Sequence, residues 1–138
     1  MSRILGIDYG TKNIGLALCV SELSIPHSVI DYRPNHPLEA ESISRISKII
    51  EEENIDIVVF GLPLLNGKET KSSKQVKRYS ELLRKRVPDN VVFEYIDEFK
   101  TSKLSLKKSI LAGISRKGRK NDHAIAACEI INRREHYK

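Results

Sequence analysis

Ile4-Leu5-Gly6-Ile7-Asp8-Tyr9-Gly10-Thr11-Lys12-Asn13-Ile14-Gly15 reads as a strand, a turn and the start of a returning strand. The first apolar run delivers one carboxylate, Asp8, to its end. Gly10 follows at the turn, where a residue without Cβ tolerates positive φ and close backbone approach. A second apolar run over residues 14–20 carries the chain back. The pattern predicts a β-hairpin with an exposed, turn-held acid near its tip. Such an acid can bond the amides of its own turn. It can equally meet a metal ion or a phosphate-bearing substrate, and these residues alone leave both readings open.

Outward from the hairpin, Ser28-Val29-Ile30-Asp31-Tyr32 is a third predicted strand, broken by Arg33-Pro34-Asn35-His36-Pro37. Residues 38–54 fit a helix: Ile43, Ile46, Ile49 and Ile50 recur at helical spacing, with Glu39 and Glu41 in the first turn and Asn54 at the close. Glu51, Glu52 and Glu53 point in three directions on such a helix, which makes them a solvated end rather than a metal site. Ile55-Asp56-Ile57-Val58-Val59-Phe60 is almost continuously apolar and β-branched, the mark of a central strand covered on both faces. The turn-rich Gly61-Leu62-Pro63-Leu64-Leu65-Asn66-Gly67 leaves it at the end where loops of parallel strands border ligand sites.

Residues 70–87 fit a second helix with Val76, Tyr79, Leu82, Leu83 and Val87 on its inner stripe. Lys71, Lys74, Lys77, Arg78, Arg84 and Lys85 crowd the rest, a solubilising face to which no chemistry is assigned. Residues 91–96 form another predicted strand, ending in Asp97-Glu98-Phe99-Lys100-Thr101-Ser102. This is a second acidic strand end, followed by a hydroxyl pair suited to capping a helix over residues 103–112. Strand side chains alternate, so only one of Asp97 and Glu98 can share the side of Asp8. A basic, glycine-punctuated loop spans residues 113–120. The last helix starts at Asn121 or Asp122 and runs to about Arg134, burying Ala124, Ile125, Ala127, Cys128 and Ile131. Asp122 in its first turn has a structural role of its own, since a carboxylate there bonds free amides and meets the helix dipole favourably.

The 138 residues suit one α/β domain over residues 1–138. The element order predicts a mixed five-stranded sheet, three strands antiparallel and then two parallel, with helices on both faces. Cys19 and Cys128 are expected to pack as small hydrophobes in a reducing compartment. With no charged-then-apolar leader and no apolar run of bilayer length, a cytoplasmic protein without membrane contact is expected.

The net charge of +6 is unevenly spread. Residues 1–67 hold five Lys/Arg against nine Asp/Glu, whereas residues 68–120 hold sixteen against six. A regional excess of this kind points to a polyanion, hence nucleic acid. Aromatic residues are only 6% with no Trp, so stacking on unpaired bases is poorly provided for and duplex or junction shape is the feature to recognise. Asp8, Glu98 and Asp122 are the candidate acidic cluster. Neighbouring carboxylates raise each other's pKa unless cations neutralise them, and Mg²⁺ or Mn²⁺ favour such oxygen ligands. Lys12, Lys100, Lys103, Arg116, Lys117, Arg119 and Lys120 are candidates to hold the nucleic-acid backbone without reading sequence.

Four strings stand in order at suitable spacing: residues 4–17, residues 58–67, residues 97–102, and Lys117-Gly118-Arg119-Lys120-Asn121-Asp122-His123-Ala124-Ile125-Ala126-Ala127. Together they resemble the YqgF (RuvX-type) family from about Ile4 to Asn132. The resemblance implies an RNase H-like fold. It implies a metal-dependent nuclease processing the 5′ end of pre-16S rRNA in ribosome biogenesis. A resolvase-like nuclease for branched DNA and a non-catalytic RNA-binding scaffold are the alternatives. It places the family's acidic positions on Asp8, Glu98 and Asp122, as catalytic residues and metal ligands. Two departures are visible. Phe99 stands where the family usually has Arg, with Lys100 next to it as a substitute phosphate ligand. Gly61-Leu62-Pro63 stands where RNase H and RuvC-type relatives carry a central-strand acid. A monomer or a homodimer would suit, and cutting both strands of a junction requires two sites and hence a two-fold dimer.

Overall fold

The computed structural model describes residues 2–21, 23–65, 67–97 and 122–136, apart from the side chains of Asp122, Glu135 and His136. Strands β1 (Ile4–Tyr9), β2 (Asn13–Cys19) and β3 (Ser24–Asp31) come first, followed by helix α1 (Pro37–Glu52) and strand β4 (Ile57–Leu62). Helix α2 (Lys71–Arg84), strand β5 (Val92–Asp97) and helix α3 (Asp122–His136) complete the described part. The predicted helix over residues 103–112 and the basic loop over 113–120 lie outside it.

The sheet runs in the order β3-β2-β1-β4-β5. β1 pairs antiparallel with β2 and β2 with β3, while β4 is parallel to both β1 and β5. This is the predicted mixed sheet. β1, at the centre, is buried along its whole length, and β4 is as well.

Alternation divides the sheet into two cores. Leu5, Ile7 and Tyr9 of β1, Ile14, Leu16 and Leu18 of β2, and Val58, Phe60 and Leu62 of β4 face α1 and α2. There they meet Ile43, Ile46 and Ile50 of α1 and Val76, Tyr79 and Leu83 of α2, with Ile49, Leu82 and Val87 half-buried at the margins. Ile4, Ala17, Cys19, Ile57 and Val59 form the other face with Ala127, Ile130 and Ile131 of α3. Helical spacing gave the α3 stripe imperfectly. Ala126 and Ile130 are buried, whereas Ile125 and Cys128 are only half-buried. Both cysteines are free thiols.

β3 is longer than its predicted Ser28–Tyr32. Pro26 sits inside it, opposite Ala17, where the register shifts between Leu16 and Ala17. β3 is an edge strand, and a missing amide there costs no ladder bond. Among the described residues no helix is long and apolar enough to cross a membrane.

Candidate active site

Asp8 is the fifth residue of β1 and belongs to its α3 face. Its cross-strand partner is Gly15, and Gly6 stands two residues back on the same face. These glycines determine what can approach. A Cβ on Gly6 would lie 2.6 Å from the Ala127 carbonyl oxygen, and one on Gly15 only 2.1 Å from the His123 carbonyl carbon. The backbone of α3 therefore lies directly on the sheet, and its second residue stands over the end of β1.

His123 Nδ1 lies 3.0 Å from Asp8 Oδ2. An ionised carboxylate only accepts, so Nδ1–H donates and the other ring nitrogen is left unprotonated in the neutral imidazole. Asp8 itself is 6% exposed. This corrects the expectation of an exposed, turn-held acid. The α3 backbone covers the hairpin end, and the carboxylate finds its partner 115 residues away rather than in its own turn. A buried charge needs such a partner.

Asp8 opens on a cavity of about 290 Å³. Tyr9, Gly10 and Thr11 line it from the hairpin, Pro63 from the exit of β4, Ser72, Gln75 and Val76 from α2, and His123 from α3. The loop leaving β4 thus borders the site, as its position predicted, and does so without an acid of its own. The start of α2 is fixed to that loop: Thr70 Oγ1 donates to the Pro63 carbonyl at 2.7 Å. Thr70 and Ser73 cap the helix reciprocally, each backbone amide donating to the other's hydroxyl.

The opposite side of the β1 end is held as firmly. Tyr9, Tyr32 and Tyr79 pack with ring centroids 5.2–5.3 Å apart. The Tyr9 and Tyr32 hydroxyls are 3.0 Å apart, and Tyr32 donates to Glu39 Oε2 at 2.5 Å. The Tyr79 hydroxyl bonds Ser42 at 2.7 Å. Arg78 of α2 grips both Glu39 oxygens of α1 at 2.8 and 3.0 Å, so it is a clamp and not merely part of a solubilising face. Its hydrogen bonds hold the Glu39 carboxyl below the usual range, while burial pushes all three tyrosine hydroxyls up. The tyrosines are neutral hydrogen-bonding struts beneath the site.

The other predicted site residues separate clearly. Lys12 is exposed in the hairpin turn, where its carbonyl accepts from Tyr32 N at 2.9 Å. Asp97 pairs with Leu62 and so belongs to the α1/α2 face, away from Asp8. Asp122 is the first residue of α3, one step before His123, with its side chain outside the described part. Glu98, Lys100, Lys103, Arg116, Lys117, Arg119 and Lys120 also lie outside it. Among the described residues no three His, Cys, Asp or Glu side chains gather as a metal site. Sequence reasoning missed His123, Ser72 and Gln75. The only signal for His123 was its place beside Asp122 at a helix start; for the α2 pair there was none.

A family model described as RuvX, Holliday junction resolvase, matches residues 2–134. The chain belongs to the RuvX family. A relative from Bacteroides fragilis, named "Putative pre-16S rRNA nuclease", is 33% identical over 122 residues, covering 88% of this chain and 84% of that one. One of the same name from Chlorobaculum tepidum is 33% identical over 134 residues, covering 94% and 89%. Among solved structures, RuvC of T. thermophilus in complex with a Holliday junction substrate superposes with a TM-score of 0.57. The identity is 15%, with 94% of this chain and 90% of that chain covered. The fowlpox virus Holliday junction resolvase gives 0.58 at 14% identity, with 98% and 97% covered. These likenesses establish that the RuvX-family chain has the RuvC-like, RNase H-type fold.

Proposed function

We propose that this RuvX-family chain is a nuclease that hydrolyses phosphodiester bonds in structured RNA, its substrate being the 5′ region of pre-16S rRNA in the cytoplasm. The observation that carries the reading is Asp8: a buried carboxylate at the end of the central strand, oriented by His123 and lining a cavity. Family membership supports a nuclease, and the names of relatives at 33% identity support RNA as its substrate.

The donor chemistry fits a divalent ion of the Mg²⁺ or Mn²⁺ class. Asp8 is an oxygen ligand, and its Oδ1 has no partner among the described residues. Glu98 and Asp122 are the acids assigned to complete the set, Asp97 being on the wrong face. When bound, such ions activate a water and stabilise the leaving oxygen of an in-line displacement. The chain's own residues do the rest. His123 fixes the rotamer of Asp8, as outer partners of metal-bound carboxylates do. Lys12, Lys100, Lys103, Arg116, Lys117, Arg119 and Lys120 hold the phosphate backbone through charge. The Tyr9–Tyr32–Glu39–Arg78 chain keeps the end of β1 rigid.

Cleavage of a pre-16S rRNA fragment, with and without Mn²⁺, tests the reading against Asp8→Asn. Metal-dependent cleavage lost in the variant is the expected result; equal cleavage by the variant excludes this chemistry. The family's description favours a second substrate, branched DNA, and a four-way junction belongs in the same assay. RNA binding that is salt-sensitive, indifferent to metal and unaccompanied by cleavage would make the chain a docking scaffold instead.

A further inference from the structure

We infer that Ser72 and Gln75 of α2 recognise the ribose 2′-hydroxyl of the nucleotide beside the cleaved phosphate, and thereby select RNA over DNA. This rests on the nuclease reading of the Asp8 cavity and names its substrate class.

The two side chains line the same cavity as Asp8 and Thr11. They are three residues apart on α2 and so share one face. The cavity, about 290 Å³, lies at the lower end of the roughly 300–1,000 Å³ of small-ligand sites. It suits one sugar with its phosphate rather than stacked bases. The wall is also neutral. Lys71 and Lys74 flank these residues in sequence and are exposed, but the α2 side chains lining the cavity are Ser72, Gln75 and Val76. A wall made for phosphate alone would present the cations.

Neutral groups that both donate and accept match a 2′-hydroxyl, which does both and is the atom that separates RNA from DNA. Adjacent serines show the division of labour. Ser73 is fully buried and caps the helix, bonding Thr70 through its amide and its hydroxyl. Ser72 and Gln75 bond no described residue through their side chains. Both stand on a turn whose backbone is fixed by the Thr70–Pro63 bond, so their side chains start from a set position at the cavity wall.

The test uses the full chain with Mn²⁺ and two hairpins from the pre-16S 5′ region, one all-ribose and one with a single 2′-deoxynucleotide beside the cleaved bond. Wild type is expected to cut the all-ribose hairpin faster. Gln75→Ala, and Ser72→Ala more weakly, should slow that reaction about 5- to 10-fold, the worth of one hydrogen bond, and leave the deoxy rate unchanged. Equal loss on both hairpins, or none on either, overturns the inference while the hydrolase stands. Should wild type cut neither hairpin, the nuclease reading has failed. The ratio of RNA to DNA binding in wild type and Gln75→Ala then decides: a ratio lowered by the substitution supports recognition of ribose, and an unchanged one overturns it.

Discussion

A Cβ on Gly15 would lie 2.1 Å from both the carbonyl carbon and the carbonyl oxygen of His123. No side chain rotation relieves a clash with backbone, so α3 must move if Gly15 gains a methyl group. Gly15 faces Asp8 across the ladder, and the same displacement would pull His123 from Asp8.

Gly15→Ala should therefore cost at least about 2–3 kcal/mol, at the upper end of overpacking effects, and should lower cleavage in the protein that remains folded. Gly67→Ala is the control. Gly67 has φ of +76° with open space around its Cβ position, so only backbone strain of about 1 kcal/mol is expected. Urea unfolding of both variants checks the difference.

His123→Ala should leave the fold intact and reduce metal-dependent cleavage about 10- to 100-fold, the usual effect of removing an outer partner of a metal ligand. His123→Asn retains a donor near the Nδ1 position and should recover part of the loss. Single-turnover rates with saturating Mn²⁺ measure both; identical rates for Ala and Asn would mean that the hydrogen bond to Asp8 is not what matters.

Arg78 lowers the Glu39 carboxyl from its ordinary value of 4.5, chiefly by direct hydrogen bonds and with help from Tyr32. A depressed carboxylate contributes stability above its unfolded value, and that contribution is lost as pH falls through the folded one. Arg78→Met should thus cost about 1 kcal/mol at neutral pH and progressively less below about pH 4.5, converging with wild type once Glu39 is protonated. Urea midpoints between pH 3 and 7 follow this; a pH-independent difference would place the effect in packing instead.

The order and pairing of the elements were legible because Ile57–Leu62 is apolar on both faces and the hairpin carries its own turn signal. Asp8 was legible as a candidate site residue for the same reason. Its burial was not, since alternation in β1 shows which side Asp8 takes but not what lies on that side. That depends on Gly6 and Gly15 letting the α3 backbone through, a relation between strands and a helix more than a hundred residues later. His123 was hidden for the same cause. Pro26 hid the first half of β3, because a proline ends a central strand but not an edge. Asp97 and Glu98 could be told apart only by register, which the pairing of Asp97 with Leu62 supplies.

Replacing Arg116, Lys117, Arg119 and Lys120 by Gln should weaken binding of the RNA hairpin and flatten its salt dependence. For every phosphate that no longer meets a cation, the slope of log K against log salt should fall by roughly 0.7–0.9. Binding in Ca²⁺ across a salt series measures this, and an unchanged slope would remove these four residues from the interface.

Burial pushes the Cys128 thiol up to about 11, and Cys19 is buried in the α3-side core. Neither thiol should react readily with a disulfide reagent at neutral pH in the native protein, and both should react in denaturant. Fast native labelling of Cys128 would show that α3 opens from the sheet.

The bond between Asp8 and His123 joins one of the first strands synthesised to the last described helix. A ribosome-bound chain that has made β1 to β5 already has all five described strands of the sheet, yet His123 and Asp122 have still to be translated. The proposed catalytic centre is therefore absent from every shorter translation intermediate. Cleavage can therefore begin only once α3 has been made and laid on the sheet.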